Sequence, residues 1–91
     1  MNRKNVYIFK METCPHCYDL QKLLTQAGIQ YKTIDVDVHK ELFDTVCEET
    51  GFIHVPQVLI NEWDGKEFTN NKFISDFDTL DEVVEKIKNV L

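Results

Sequence analysis

Two cysteines separated by two residues are the first feature of this chain that could do chemistry. They form Cys14-Pro15-His16-Cys17, directly after an apolar strand-like run and directly before a helix-like run. Because a helix start carries unpaired N–H groups and about half a positive charge, Cys14 is expected to be held partly as thiolate, the form that attacks disulfides. Cys17 lies three residues on, on the same helix face and within bonding reach. The motif in this context predicts a dithiol redox site.

The two residues between the cysteines suit that chemistry. Pro15 fits the first helical turn, because its missing N–H would have no partner there. A protonated His16 adds positive charge beside the thiolate and favours the reduced state. We therefore include Pro15 and His16 with the two cysteines as the candidate catalytic residues.

Seven elements are predicted around this motif, in the order β-α-β-α-β-β-α. The first strand is short and apolar throughout, which suits burial on both faces. Helical spacing of apolar residues and terminal glycines define the first two helices, with Asp37 as a possible cap of the second. Asp64-Gly65 is a hairpin signal, and Thr79 to Glu82 has the spacing of a capping box. The predicted strands cover residues 6–9, 31–36, 58–60 and 66–68, and the predicted helices cover 15–27, 39–50 and 80–90.

This order of elements predicts an α/β fold. A β-α-β opening implies a right-handed crossover and parallel pairing of the first two strands. The hairpin adds an antiparallel edge, so the expected architecture is a mixed four-stranded sheet flanked by three helices. At 91 residues, the chain is expected to form a single domain over residues 1–91.

Composition limits the class of protein further. Apolar residues make up 43% of the chain and charged residues 29%, which indicates a soluble globular protein. A net charge of −6 argues against a nucleic-acid surface, and no apolar run approaches a membrane span. No export signal is evident, which favours the cytoplasm, where a C-x-x-C is more often catalytic or metal-binding than structural. Three cysteines cannot all pair within the chain, and no second cysteine pair stands at zinc-site spacing, so we expect no metal ligands.

With these residues in place, the chain resembles a glutaredoxin, a small member of the thioredoxin superfamily. The resemblance covers nearly the whole chain and depends on three features in order. These are the strand followed by the Cys14–Cys17 motif, His54-Val55-Pro56 before the third strand, and Phe77-Asp78 before the last helix. The resemblance implies a thioredoxin-like fold and a dithiol oxidoreductase that reduces protein or glutathione mixed disulfides.

The resemblance also assigns roles to residues. It makes Cys14 the attacking thiolate, Cys17 the resolving thiol and Pro56 a cis-proline that faces them. The backbone of Val55 would bind the cysteinyl part of a disulfide, and the N–H groups of Phe77 and Asp78 would bind the glutathione α-carboxylate. The implied glutathione-binding set is Lys10, His54, Val55, Pro56, Phe77 and Asp78.

Glutathione is the implied co-substrate, and no bound prosthetic group is expected. The implied partners are proteins that carry disulfides, with ribonucleotide reductase as a family-typical electron acceptor, and no nucleic acid or membrane is expected. The protein is expected to be a cytoplasmic monomer. Two departures leave recharging by thioredoxin reductase open: Lys10 stands one residue before the family's usual lysine position, and Glu48 and Glu49 occupy a region that is usually basic or amide. A metal or iron–sulfur module and an interaction domain that uses the hairpin are alternatives of other classes.

Overall fold

The structure is a computed structural model that describes residues 3–91. Met1 and Asn2, the first two residues of the predicted domain, lie outside the described residues. The elements follow the predicted order β-α-β-α-β-β-α. They are β1 (Arg3–Lys10), α1 (Pro15–Gln26), β2 (Lys32–Asp35), α2 (Lys40–Thr50), β3 (Gln57–Trp63), β4 (Phe68–Ile74) and α3 (Leu80–Val90).

The four strands form one mixed sheet in the order β2-β1-β3-β4. β1 pairs in parallel with β2, as the β-α-β opening predicts, and antiparallel with β3. β4 pairs antiparallel with β3 through the hairpin. The sheet and its three helices make a thioredoxin-like fold, and the carboxyl end of β1 leads directly into the loop that carries the cysteines.

Both faces of the sheet are covered by helices. Alternate residues of β1 point to opposite faces, so Ile8 joins one buried cluster and Phe9 joins another. The larger cluster packs α1 and α3 on one face, with Leu20 and Ile87 fully buried. The smaller cluster packs α2 on the other face, through Val46. α1 and α3 therefore pack together on the same face of the sheet.

The prediction for the fourth strand was wrong in its position. We expected residues 66–68, but β4 begins at Phe68, because Lys66 and Glu67 belong to the turn. Asp64 Oδ1 accepts hydrogen bonds from Lys66 N at 2.8 Å and from Glu67 N at 2.9 Å. Gly65 has φ of +100°, which favours glycine. The strand then continues through two asparagines to Ile74, past a break in its register with β3.

Helix boundaries follow the sequence closely, with one correction. Asp37 does not cap α2, because its N–H is turned back onto Asp35 Oδ1 at 2.9 Å and His39 is the N-cap residue. Gly51 ends α2 with a left-handed conformation, φ +78°. Thr79 caps α3 by accepting from Glu82 N at 3.2 Å. No helix within residues 3–91 is long and apolar enough to cross a membrane.

Candidate active site

The cysteine pair sits at the amino end of α1, where the sequence predicts it. Cys14 is the N-cap residue in an extended conformation, and Pro15 occupies the first helical turn. Cys14 Sγ accepts a hydrogen bond from Cys17 N at 3.1 Å, so a helix-start N–H points directly at this sulfur. The Cα atoms of Cys14 and Cys17 are 5.3 Å apart, and the two residues form a disulfide. The pair is thus competent for dithiol–disulfide chemistry.

The two sulfurs differ in access. Cys14 is half-buried, whereas Cys17 is fully buried. An incoming thiol or thiolate can therefore reach Cys14 and not Cys17. The first turn of α1 holds no acidic residue, so no carboxylate on it opposes a thiolate at the N-cap position. The arrangement makes Cys14 the entry point for exchange and Cys17 the internal partner.

A cleft of about 340 Å³ opens beside the cysteine motif. It brings together three separate segments of the chain: the amino end of α1, the loop before β3 and the amino end of α3. Of the residues that the sequence proposes for the site, it gathers six in one place. The lining residues are His16, His54, Val55, Pro56, Phe77, Asp78, Thr79 and Leu80.

The loop before β3 carries a cis peptide bond between Val55 and Pro56, as the resemblance implied. His54 links this loop to the segment before α3, since its Nε2–H donates to the Ser75 carbonyl at 2.8 Å. The His54 ring also stands edge-on to Phe77, with centroids 5.6 Å apart. These contacts join two walls of the cleft into one unit.

Lys10 makes its contacts on the neighbouring strand and on α1. Its Nζ lies 4.0 Å from Asp35 Oδ2 on the neighbouring strand and 5.9 Å from the centre of the Tyr18 ring. It does not line the cleft beside His54 and Asp78. The position of Lys10, one residue before the family's usual lysine, explains this, because side-chain direction reverses at each residue of a strand.

Sequence reasoning missed Gln57, which organises the cis-proline loop from within. Gln57 is fully buried, and its Nε2 donates to Phe52 O and His54 O, both at 2.9 Å. Its Oε1 accepts from Ser75 Oγ at 2.7 Å and Thr50 Oγ1 at 3.1 Å. A polar residue that opens an otherwise apolar strand, directly after the predicted cis-proline, was the available signal.

The amino end of α3 already holds a carboxylate. Glu82 Oε2 accepts from Asp78 N at 3.1 Å, and its other oxygen lies 3.1 Å from Lys86 Nζ. The Asp78 N–H is the main reason that the pKa of Glu82 lies below its usual value, with the contact to Lys86 next. Asp78 N–H, which the resemblance assigns to a ligand carboxylate, is therefore hydrogen-bonded within the chain.

The third cysteine stands apart from the pair. Cys47 is a free, half-buried thiol on α2. Burial raises its pKa, and the neighbouring Asp44 carboxylate raises it further. Cys47 is thus less nucleophilic at neutral pH than an ordinary thiol. Within residues 3–91, no group of three His, Cys, Asp or Glu side chains could hold a metal ion.

Comparisons with known proteins agree with this geometry. Residues 6–63 match the family model described as Glutaredoxin. Glutaredoxin 3 of Escherichia coli strain K12 is 30% identical over 57 residues, which cover 63% of this chain and 69% of that protein. A glutaredoxin of Ricinus communis is 36% identical over 58 residues, which cover 60% of this chain and 57% of that protein.

Solved structures extend the similarity over almost the whole chain. The holo form of glutaredoxin C1 from Populus tremula x tremuloides is 28% identical, with a TM-score of 0.58. That match covers 92% of this chain and 74% of the poplar chain. The similarity therefore includes β4 and α3, which lie beyond the family-model match, and with them the segment that lines the second wall of the cleft.

Proposed function

Because the chain belongs to the glutaredoxin family of thiol–disulfide oxidoreductases, we propose that it reduces protein and glutathione mixed disulfides with electrons from glutathione. One observation carries the proposal. The half-buried sulfur of Cys14 lies at a helix start, while the sulfur of Cys17 is fully buried behind it. Such a pair takes part in exchange through one sulfur and closes its ring with the other.

The reaction begins with the reduced pair. The Cys14 thiolate attacks a disulfide sulfur, so a new S–S bond to Cys14 forms as the substrate S–S bond breaks and one substrate thiolate leaves. Cys17, as thiolate, then attacks Cys14 Sγ, which releases the second substrate thiolate and forms the Cys14–Cys17 disulfide. Two electrons pass from the dithiol to the substrate, and each departing thiolate takes up a proton.

Glutathione restores the dithiol by the reverse chemistry. A first glutathione thiolate attacks Cys14, forming a mixed disulfide and freeing Cys17. A second glutathione attacks the sulfur of the bound glutathione, releases oxidised glutathione and returns the Cys14 thiolate. For a glutathione mixed disulfide, the same second step completes turnover without Cys17. This cycle needs a reducing glutathione pool, which supports the cytoplasm as its location.

The cleft supplies the proposed glutathione site. The backbone of Val55, next to cis-Pro56, would pair with the cysteinyl part of the ligand as an added strand does. The N–H groups of Phe77 and Asp78 at the start of α3 would bind its α-carboxylate, and the Asp78 carboxylate would pair with its α-amino group. His16 and His54 complete the walls. Disulfide-bearing proteins are the proposed electron acceptors. The proposal of ribonucleotide reductase as one of them depends on the family resemblance alone.

A second candidate is an electron donor recharged by thioredoxin reductase. Two contacts favour it: the pairing of Lys10 with Asp35 and the occupation of the Asp78 N–H by Glu82. The first contact engages the Lys10 ammonium and the second engages the Asp78 N–H, and each of these groups would otherwise attract a small anionic ligand. A protein disulfide, which brings an extended backbone rather than a free carboxylate, loses nothing by these contacts.

Turnover of the mixed disulfide of glutathione and 2-mercaptoethanol tests the proposal, with NADPH oxidation by glutathione reductase as the readout. We expect activity in the wild type, none in Cys14→Ser, and partial activity in Cys17→Ser, which would lose the reduction of peptide disulfides. A Cys47→Ser variant controls for the third thiol. Activity that survives Cys14→Ser contradicts the proposal, and turnover with thioredoxin reductase but not glutathione selects the second candidate.

A further inference from the structure

The carboxylate of Glu82 is the anion that the chain itself presents to the start of α3. In a capping box, an acidic side chain returns to the N–H of the N-cap residue. Thr79 is the N-cap residue here, but Glu82 Oε2 reaches one residue further, to Asp78 N at 3.1 Å. Asp78 lines the cleft, so this contact lies at the edge of the proposed ligand site.

The same N–H cannot serve two carboxylates with good geometry, because it has one hydrogen. We propose that Glu82 is a specificity-determining residue, which competes with the α-carboxylate of glutathione and thereby favours peptide disulfides over glutathione mixed disulfides. This inference rests on the proposed function, which places the ligand carboxylate at the Asp78 N–H. Repulsion between the two anions adds to the competition.

The neighbours of Glu82 hold its carboxylate in this position. Lys86 Nζ lies 3.1 Å from Glu82 Oε1, and the same ammonium donates to Asp76 O at 2.9 Å. Lys86 is thereby tied to the segment that precedes α3 and keeps the carboxylate beside it. The lowered pKa of Glu82 means that the side chain is ionised at neutral pH, where the exchange chemistry takes place.

Peptide disulfides avoid this competition. The backbone beside a cysteine in a protein chain presents amide groups, and only the γ-glutamyl end of glutathione brings a free carboxylate to the start of α3. Removal of Glu82 should therefore improve glutathione substrates and leave peptide disulfides unchanged. A general effect on folding or on the reactivity of Cys14 would change both substrates together.

Glu85 provides a matched control for the experiment. It lies on the same helix, is exposed, and its Oε1 is 3.7 Å from Lys88 Nζ, so its removal deletes the same charge and one ion pair. It does not line the cleft. Glu82→Ala and Glu85→Ala are compared for KM and kcat with the glutathione–2-mercaptoethanol disulfide and with a synthetic peptide disulfide. Thermal melts of both variants check that α3 is intact.

We expect Glu82→Ala to lower the KM for the glutathione substrate about tenfold relative to Glu85→Ala, as the loss of a competing charge-assisted hydrogen bond would. The peptide substrate should be unaffected. If Glu82→Ala does not fold, Glu82→Gln takes its place, since it keeps an acceptor for the N–H and removes the charge, and an intermediate fall in KM is expected.

The outcomes separate this inference from the proposed function. Equal KM values in the Glu82 and Glu85 variants, with an active wild type, overturn the inference and leave the proposed function standing. No glutathione turnover in any of the proteins overturns both. Turnover that appears only when Glu82 is replaced supports the inference, because it shows a glutathione site that the wild-type carboxylate blocks, and contradicts the proposed function of the wild-type protein.

Discussion

Replacement of Gln57 by leucine should destabilise the protein through the cis-proline loop. Leucine has similar bulk but no hydrogen-bonding groups. In the wild type, the Gln57 amide makes four contacts, two to carbonyl oxygens of the loop and two to hydroxyls. After the change, Phe52 O and His54 O, which are part-buried, and the buried hydroxyl of Ser75 lose this partner.

The expected cost follows from these groups. A buried polar group left without its partner costs about 1–3 kcal/mol, and a part-buried one lies at the low end of that range. Phe52 O still accepts from Thr50 Oγ1 at 3.4 Å, so His54 O and the Ser75 hydroxyl are the groups that lose their partner. Together they give roughly 2–4 kcal/mol, and the apolar surface that leucine buries offsets about 1 kcal/mol. A domain of this size has about 5–14 kcal/mol of stability in total, so the net loss of roughly 1–3 kcal/mol is a substantial part of it.

A double-mutant cycle with Ser75→Ala isolates the network. Alone, Ser75→Ala should cost about 1 kcal/mol, because Gln57 Oε1 keeps the hydroxyl of Thr50. In the Gln57→Leu background it should cost nothing, because the hydroxyl is already unpaired there. Urea unfolding of the four proteins in the oxidised state measures both terms. A cost for Gln57→Leu below about 1 kcal/mol, or equal costs for Ser75→Ala in both backgrounds, refutes the reasoning.

Three further predictions concern other parts of the fold. Asp64→Asn should lower the Tm at neutral pH. The N–H groups of Glu67 and Lys66 hold the pKa of Asp64 below its ordinary value of 3.8. The stabilisation is therefore present above the unfolded-state pKa and is lost as the pH falls through the folded-state pKa. A Tm difference that persists in acid contradicts it. Thr79→Ala should cost about 1 kcal/mol in urea unfolding by removing the cap of α3, and no change would mean that the cap is dispensable. Ile87→Ala, at a fully buried position, should cost about 2–5 kcal/mol, against almost nothing for Val38→Ala, which is 72% exposed.

Much of the fold could be predicted because local signals and burial agree. The helices begin and end near proline, glycine and the Thr79 cap, and each apolar stripe faces the sheet. Strand ends were harder to predict. β1 begins at Arg3 and β3 ends at Trp63, since the backbone ladder between them continues although most of the outer side chains are polar. β4 was misplaced because the Asp64 turn takes up two more residues than its Asp-Gly signal implies.

The candidate site was also predictable from the sequence only in part. Cys14 and Cys17 could be located from spacing, since the motif and the helix start are adjacent in sequence. The contacts of Gln57 with Ser75 and of His54 with Ser75 join segments about twenty residues apart, and no local pattern predicts such contacts. The same holds for Glu82. Its capping-box spacing was evident, but its carboxylate accepts from the N–H of Asp78 and not from that of Thr79, which depends on the path of the loop.

The central claim is that, in the reduced protein, Cys14 is the accessible, ionised sulfur at the start of α1, with Cys17 fully buried behind it. The most direct test is the pH dependence of iodoacetamide alkylation of the fully reduced protein, followed residue by residue with peptide mass spectrometry. We predict that Cys14 is alkylated much faster than Cys17 and Cys47 at neutral pH, and that its rate levels off well below the titration range of a free cysteine, about pH 8.5. Equal rates at Cys14 and Cys17, or a Cys14 rate that still rises through that range, would contradict the account.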